Sequence, residues 1–265
     1  METLYCQRWR RGKPRYRPAG EVIDTRLYDV EPIPGDQKAR AFIQEHHYLK
    51  SYPAARRRFG LYHRGTLVGV AVYSHPVNDK TLAVFPGEPK ESLELGRLVL
   101  ADSVPANGES WFIARCFDAL RKEGFIGVAS FCDPLPRLGM RGEVVFKGHI
   151  GVIYQAMNAV YLGRSKPGMI NVLPDGSVMH RRSIQKIRGM EQGWEAAVRR
   201  LVQFGAPSPE GDIRKWLDAA LAAVSRPVRH PGNHKYAWIL GRRWRRLLPP
   251  SLSYPKAAPI HPSLF

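Results

Sequence analysis

Apolar and polar positions alternate along the chain with two different periods, and the changes of period outline strands and helices. Two β-branched and aromatic runs, 59–63 and 67–73, flank Arg64-Gly65-Thr66 and predict a hairpin. Leucines at positions 93, 95, 98 and 100 predict a third strand. The helical period of residues 109–123, closed by Gly124, predicts an amphipathic helix after it.

The chain returns from that helix directly into an apolar run at residues 126–131. Strand, loop, helix and strand in this order predict a βαβ unit whose helix lies across one sheet face. Residues 149–158 predict a short helix, and residues 159–163 and 235–240 predict two more strands. We therefore expect an α/β fold in which a mixed sheet is flanked by helices.

The pattern also predicts how the chain is divided. Helices at 182–204 and 211–224 flank a Pro/Gly turn, which fits nucleic-acid binding but also simple packing. The opening segment interleaves aromatic and basic residues without a helix or strand period. The predicted organisation is a basic arm at 1–20, a core at 21–180, a helical insertion at 181–226, and a final strand with a basic tail at 227–265.

Composition adds an electrostatic preference. The chain has 41 Lys and Arg against 23 Asp and Glu, a formal net charge of +18. Such a surface attracts polyanions, and nucleic acid is the first candidate partner, ahead of an anionic membrane and a phosphorylated cofactor. A ribosome- or membrane-associated role, and a basic surface with no partner, stay open.

Cysteine use and hydropathy predict the compartment. Cys6, Cys116 and Cys132 are scattered and odd in number, which argues against a disulfide framework. No apolar run of about 18 residues and no apolar signal segment is found, so we expect a cytoplasmic protein without a membrane span.

Candidate catalytic side chains lie where predicted elements end. A helix over residues 36–50 brings His47 and Tyr48 to its end, where an imidazole and a phenol can transfer protons. Arg56, Arg57 and Arg58 follow and suit a phosphate clamp, or form a solvated charge run. If the substrate is a base in duplex DNA, it must be extruded, and Tyr48, Tyr52 or Phe59 can stack against it.

A second group lies at the end of the strand 126–131. Ser130 and Cys132 share one face of this strand, and Asp133 follows it at the sheet edge where open α/β sheets place ligands. Tyr154 faces the same cleft if its helix starts near residue 149, and Arg97 is a candidate oxyanion contact. The structural alternatives are a helix cap for His47, an Asx turn for Asp133 and a salt bridge for Arg97. Cys132 is a candidate nucleophile, and its structural alternative is a small buried hydrophobe.

Cofactors are left open by the sequence. The βαβ unit resembles the arrangement with which GNAT acyltransferases hold the coenzyme A pyrophosphate at a helix N-terminus. Asn107, Gly108 and Ser110 are then the candidate contacts, although a carboxylate at Glu109 opposes a pyrophosphate. The remaining histidines show no zinc-type spacing. A mononuclear metal held by His47, Asp133 and Tyr154 stays open, and Arg242 and Arg243 in the tail are further candidate DNA contacts.

Five motifs, in this order and spacing, resemble the Mom-like DNA-modification proteins of bacteriophages over about residues 36–256. They are His47-Tyr48-Leu49-Lys50-Ser51-Tyr52-Pro53, Glu94-Leu95-Gly96-Arg97-Leu98-Val99-Leu100, Ser130-Phe131-Cys132-Asp133-Pro134, Gly148-His149-Ile150-Gly151-Val152-Ile153-Tyr154-Gln155-Ala156 and His230-Pro231-Gly232-Asn233-His234-Lys235-Tyr236. The resemblance implies a GNAT-like fold that places a small amide-bearing or amino-acid-derived group on DNA bases after replication and protects phage DNA from restriction. The functional positions that it implies are His47, Tyr48, Arg97, Ser130, Asp133 and Tyr154.

Two chemistries occur among related phage enzymes, and the sequence leaves both open. One places a carbamoylmethyl group on the exocyclic amine of adenine, and the other attaches an amino acid to an activated 5-methylene of a thymine-derived base. Two other functions also stay open: an acyltransferase acting on a protein or small molecule, and a non-catalytic DNA-binding, anti-restriction protein.

Overall fold

The computed structural model describes residues 5–11, 13–139 and 142–256. The described residues divide into a first compact unit, 5–11, 13–132, 150–163 and 234–256, and a second, 133–139, 142–149 and 164–233. The strands are β1 (Tyr5–Arg10), β2 (Lys13–Pro18), β3 (Tyr28–Pro32), β4 (Ala55–His63), β5 (Thr66–Ser74), β6 (Ser92–Leu100), β7 (Gly127–Cys132), β8 (Arg137–Leu138), β9 (Val144–Phe146), β10 (Val160–Arg164), β11 (Gly168–Val172), β12 (Val178–Met179), β13 (Arg226–His230) and β14 (His234–Ile239). The α-helices are α1 (Gln37–His46), α2 (Gly108–Lys122), α3 (Val152–Ala156), α4 (Arg181–Gly189), α5 (Trp194–Gln203) and α6 (Ile213–Val224).

The first unit is built on a seven-stranded mixed sheet with the order β10-β14-β7-β6-β5-β4-β3. The pairs β3–β4, β4–β5, β5–β6 and β7–β14 are antiparallel. Strands β6 and β7 are parallel, and α2 connects them. The predicted βαβ unit is therefore confirmed.

Helices cover both faces of this sheet. On one face α1 buries Ala39 and Ile43 against valines of β5 and β6. On the other face α2 buries Phe112, Ile113 and Leu120 in the main core, to which α3 also belongs. The predicted fold class, an α/β fold with a mixed sheet flanked by helices, is confirmed. No helix in the described part of the chain is long and apolar enough to cross a membrane.

The N-terminal segment forms a β-hairpin and not the aperiodic arm that the sequence predicts. Strands β1 and β2 pair antiparallel from Tyr5↔Pro18 to Arg10↔Lys13. The strand period was hidden because a buried position of β1 is Arg8, whose side chain is fully buried. A buried cation gives no apolar alternation for a sequence pattern to detect.

The second unit has a three-stranded sheet of order β12-β11-β13, a β8-β9 hairpin, and three helices that share one core. The single helix predicted over 182–204 is wrong, since the chain turns between α4 and α5. Met190 (φ 46°) and Gly193 (φ 80°) take left-handed conformations there, which end one helix before the next begins. The predicted domain boundaries stay a prediction.

Helix α3 begins three residues later than the sequence predicts. Gly151, with φ 73°, is its N-cap, and a Cβ at this position would lie 2.6 Å from Sγ of Cys132. The glycine therefore allows both the left-handed turn and the close approach of the helix to β7.

Candidate active site

The sheet of the first unit opens where β6 and β7 part. Their parallel pairing ends at Glu94↔Ala129. The register of β5 and β6 shifts at this level, so that Gly96 has no partner. The Leu95 carbonyl oxygen lies 3.0 Å from the hydroxyl oxygen of Ser130, so a side chain bonds where the strand ladder has stopped. A gap past the end of a parallel pair is where α/β sheets bind ligands.

Tyr154 of α3 lies in this gap. Its hydroxyl oxygen is 3.0 Å from the Ser130 hydroxyl oxygen. The rings of Tyr236 and Trp238 pack around Tyr154 with centroids at 5.6 and 5.1 Å. Burial raises the pKa of Tyr154, and the nearby Cys132 thiol adds to that rise. The phenol is therefore neutral at physiological pH and is a proton donor rather than a base.

Arg97 joins β6 to the loop after α1. Its Nε and Nη2 donate to the carbonyl (3.0 Å) and hydroxyl (2.7 Å) oxygens of Ser51. Burial lowers its pKa from the usual 12.5, while Tyr48, Glu94 and Tyr154 are close enough to oppose that shift. A guanidinium stays charged at neutral pH even so. Arg97 therefore both positions the loop and supplies the gap with a positive charge.

Glu94 is a functional candidate that the sequence reasoning missed. It is the last β6 residue that pairs with β7, and it is partly exposed. Among the described residues its carboxylate has no hydrogen-bond or ion-pair partner. Burial raises its pKa above 4.5, and Arg97 opposes the rise. A carboxyl group in this state suits proton abstraction near neutral pH. Its place beside Arg97 within Glu94-Leu95-Gly96-Arg97 was the signal available.

His47 and Tyr48 lie just past α1, which ends at His46 and not at residue 50 as the sequence predicts. His47 is buried and caps α1, its amide donating to the Ile43 carbonyl at 2.9 Å. Its Nδ1 accepts from the Leu49 amide at 2.9 Å, so the proton of the neutral ring lies on Nε2. The His47 and Tyr48 rings stack with centroids 4.4 Å apart. His47 caps α1 through its backbone amide, so its side chain can still donate a hydrogen bond from Nε2.

Asp133 belongs to the second unit, where three groups hold its carboxylate. His230 Nε2 donates to Oδ1 at 2.9 Å, and the largely buried Arg137 donates to Oδ2 at 2.9 Å. The Leu135 amide donates to Oδ1 at 2.9 Å, which is the Asx turn that the sequence offered as an alternative. His230 Nδ1 accepts from the Gly232 amide at 3.0 Å, so Nε2 carries the proton.

His230 and Arg137 were not among the predicted site residues. The available signal was His230 at the start of the fifth motif.

The structure brings Tyr48, Arg97, Ser130 and Tyr154 together in the first unit, and it places Asp133 in a separate hydrogen-bonded cluster in the second. The catalytic roles of all six residues stay predictions.

The loop predicted to hold a pyrophosphate is occupied by the N-terminal segment. Arg8 donates to the carbonyl oxygens of Pro105 (2.8 Å) and Ala106 (3.1 Å) and pairs with Glu109 at 2.7 Å. Asn107 Oδ1 accepts from the Ile23 amide at 2.7 Å.

The other two predicted contacts are also engaged within the loop. The Gly108 amide donates to Pro105, and the Ser110 hydroxyl donates to the Asn107 carbonyl. In this arrangement the loop does not fit a pyrophosphate, since a carboxylate and a bound guanidinium fill the helix N-terminus. Donor binding by Asn107, Gly108 and Ser110 stays a prediction that requires the hairpin to move.

Metal ligation also stays a prediction. In the described ranges no group of three or more His, Cys, Asp or Glu side chains is placed to hold a metal ion.

The predicted phosphate clamp lies in β4, and each of its arginines already has a partner. Arg56 donates to the Lys90 carbonyl at 2.8 Å, Arg57 pairs with Glu123, and Arg58 pairs with Asp36 at 2.5 Å. DNA contact by Arg56, Arg57 and Arg58 stays a prediction that requires these partners to be exchanged.

The remaining DNA-contact candidates are Arg242 and Arg243, and the structure describes the side chain of Arg243 alone. Arg243 lies over the Trp244 ring at 4.5 Å. The side chain of Arg242 lies outside the described part. Phe59 is 1% exposed in the core, so the expectation that it stacks on an extruded base is wrong.

Comparison with known proteins adds a family. The model of the Mom protein family matches residues 27–256. A search of the curated proteins finds no match. Among solved structures, an N-acetyltransferase from Staphylococcus aureus Mu50 has a TM-score of 0.37 at 8% identity, covering 81% of this chain and 99% of that one. A polyamine N-acetyltransferase from Drosophila melanogaster has a TM-score of 0.39 at 9% identity, covering 80% and 99%. A tandem GNAT protein from the clavulanic acid biosynthesis pathway has a TM-score of 0.41 at 8% identity, covering 81% and 99%.

Proposed function

The chain belongs to the Mom protein family, and from this premise we propose that it transfers a small amide-bearing or amino-acid-derived group to a base in double-stranded DNA and thereby protects the DNA from restriction. The family makes the protein a transferase. The observation that carries the finer proposal is the gap between β6 and β7, where Tyr154, Ser130, Arg97 and Glu94 meet. The net charge of +18 supports DNA as the acceptor.

The two chemistries left open by the sequence share one step. In either case an amine nitrogen attacks an electrophilic carbon, a nitrogen–carbon bond forms, and the bond from that carbon to its leaving group breaks. The amine is the exocyclic nitrogen of adenine in one chemistry and the amino group of an amino acid in the other. The attacking amine must lose one proton, so the site needs a base close to neutral pH.

The gap supplies groups for each part of this step. The Glu94 carboxylate, with its raised pKa, takes the proton from the amine. The neutral Tyr154 phenol donates a proton or hydrogen bond to the leaving group. Arg97 stabilises negative charge that develops there. His47, with its proton on Nε2, is a further donor. Asp133 stays a functional position that the family resemblance implies, with no part in this step assigned to it.

The test is mass spectrometry of nucleosides from cells that express the protein in the phage background. A mass-shifted base is expected with the wild type and with the control Lys122→Gln, which changes an exposed residue at the end of α2. The shifted base is expected to disappear with His47→Ala, with Asp133→Ala and with Glu94→Gln. Unmodified DNA in the wild-type cells would contradict the proposal.

Other outcomes separate the two remaining functions. Turnover of a protein or small-molecule acceptor that does not depend on DNA would assign the chain to ordinary acyl transfer. Protection from restriction that survives Tyr154→Ala, but is lost when Arg56, Arg57 and Arg58 are reversed in charge, would assign it to non-catalytic DNA binding.

A further inference from the structure

The second unit carries a concentration of positive charge that the proposed chemistry does not use. Residues 164–233 contain twelve Lys and Arg against six Asp and Glu. Helix α4, Arg181–Gly189, has four of these cations and no acidic residue. Like charges one helical turn apart repel each other, so these cations destabilise the helix unless anionic groups outside it lie close to them.

One side of α4 is exposed as a continuous stripe. Arg181, Gln185 and Arg188 are all exposed and follow each other at spacings of four and three residues, so they lie on one helix face. The opposite side is anchored, because Ile187 is fully buried in the core of this unit. The stripe is therefore held on a packed support.

A groove lies on each side of this stripe. The first, of 410 Å³, has Ile170, Ile184 and Leu221 among its lining residues, together with Arg181 and Arg188. The second is lined by Arg182, Gln185 and Arg214 and also by two carboxylates, Glu191 and Asp218, which pair with Arg182 and Arg188. Arg188 lines both grooves. Concave surfaces in which arginines outnumber carboxylates, on both sides of a basic helix, suit a polyanionic backbone lying along the helix.

The arginines of the stripe are available for an external anion. In the part of the chain that the structure describes, Arg181 has no hydrogen-bond or ion-pair partner. Arg188 pairs with Asp218 at 3.0 Å, and the side chains are 53% and 67% exposed. An ion pair this exposed contributes little and exchanges readily for a phosphate.

We propose that the exposed stripe of α4 and its two grooves form a docking surface for the phosphate backbone of duplex DNA. The proposal rests on the proposed function only in taking duplex DNA as the acceptor. Arg181 and Arg188 are seven residues apart, which is about 10 Å along a helix, or roughly three base-pair steps of duplex. Two phosphates of one strand are thus within reach of the stripe at once.

The test measures equilibrium binding of a fluorescent unmodified duplex of about 20 base pairs at a series of salt concentrations. It needs no donor and no turnover, so it is independent of whether the chemistry proceeds. The test variant is Arg181→Gln with Arg188→Gln. The control is Arg199→Gln with Lys215→Gln, which removes the same charge from exposed residues that line neither groove.

The expected result for the stripe variant is a salt dependence (log K against log salt) that is shallower by about 1.8, since each phosphate contact contributes about 0.9. Its affinity at about 0.1 M salt is expected to fall at least tenfold. The control is expected to keep the wild-type salt dependence. Equal losses in both variants, an unchanged stripe variant, or tighter wild-type binding to single-stranded RNA than to duplex DNA would overturn the proposal.

The outcome also separates this surface from the chemistry. If duplex binding depends on the stripe while nucleosides stay unmodified, the docking surface stands and the proposed function fails. If nucleosides are modified while the stripe variant binds duplex as the wild type does, the docking surface fails alone.

Discussion

Removal of Arg8 tests how the N-terminal hairpin is held on the first unit. Its side chain is 0% exposed, against 19% for its ion-pair partner Glu109. Arg8→Met deletes that pair and two hydrogen bonds to the Pro105 and Ala106 carbonyls. The variant leaves a largely buried carboxylate without its cation, which costs about 3–5 kcal/mol of unfolding free energy. For a unit of this size, that corresponds to a fall in Tm of about 10 °C.

The pH dependence of the loss follows from Glu109. Burial raises its pKa above 4.5, and Arg8 opposes this rise. Without Arg8 the folded-state pKa rises further, so the folded protein takes up a proton at a pH where the unfolded chain does not. The destabilisation of Arg8→Met is therefore full above the raised pKa of Glu109 and shrinks as the pH falls towards 4.5.

Thermal unfolding followed by circular dichroism at pH 5 and pH 8 measures both effects. Arg15→Ala is the control, because this exposed residue lies on the same hairpin, and a change within about 0.5 kcal/mol is expected. The double variant Arg8→Met with Glu109→Gln should recover most of the loss, since no buried charge remains. The reasoning is refuted if Arg8→Met unfolds like the control, or if the double variant is as unstable as Arg8→Met.

Three further predictions concern the site. Glu94→Gln is expected to lower kcat/KM by about 10²–10⁴, and to remove the rise of the wild-type rate with pH that deprotonation of Glu94 produces; an unchanged pH profile of kcat/KM would contradict this. Tyr154→Phe is expected to lower kcat by about 10²–10³ while the far-UV circular dichroism is retained, and a wild-type kcat would exclude Tyr154 as a proton donor. His230→Ala takes one donor from the Asp133 carboxylate and is expected to cost about 1–3 kcal/mol in thermal unfolding as well as activity, whereas His230→Gln restores part of both because its amide can donate; equal loss in the two variants would show that this hydrogen bond is not what positions Asp133.

Much of the first unit could be read from the sequence because its elements bury apolar side chains with clear periods. Leu93, Leu95, Leu98 and Leu100 marked β6, and the amphipathic run before Gly124 marked α2. Ser130 and Cys132 were expected on one strand face, and both are buried there beside Tyr154. Local periodicity reports which face of an element is buried, so it also reports which polar residues share that face.

The features that the sequence did not predict depend on partners far away along the chain. Arg8 is a surface residue by its chemistry, and only its contacts with residues 105, 106 and 109 make burial tolerable. His230 reaches Asp133 across 97 residues, and Glu94 is partly buried because β6 and β7 part beside it. The sequence by itself determined the order of the elements from β4 to β7 and the basic charge, since these follow from local period and composition. Only the tertiary structure decided which charges are buried, paired or left open, because desolvation and Coulomb interactions depend on distance in space and not along the chain.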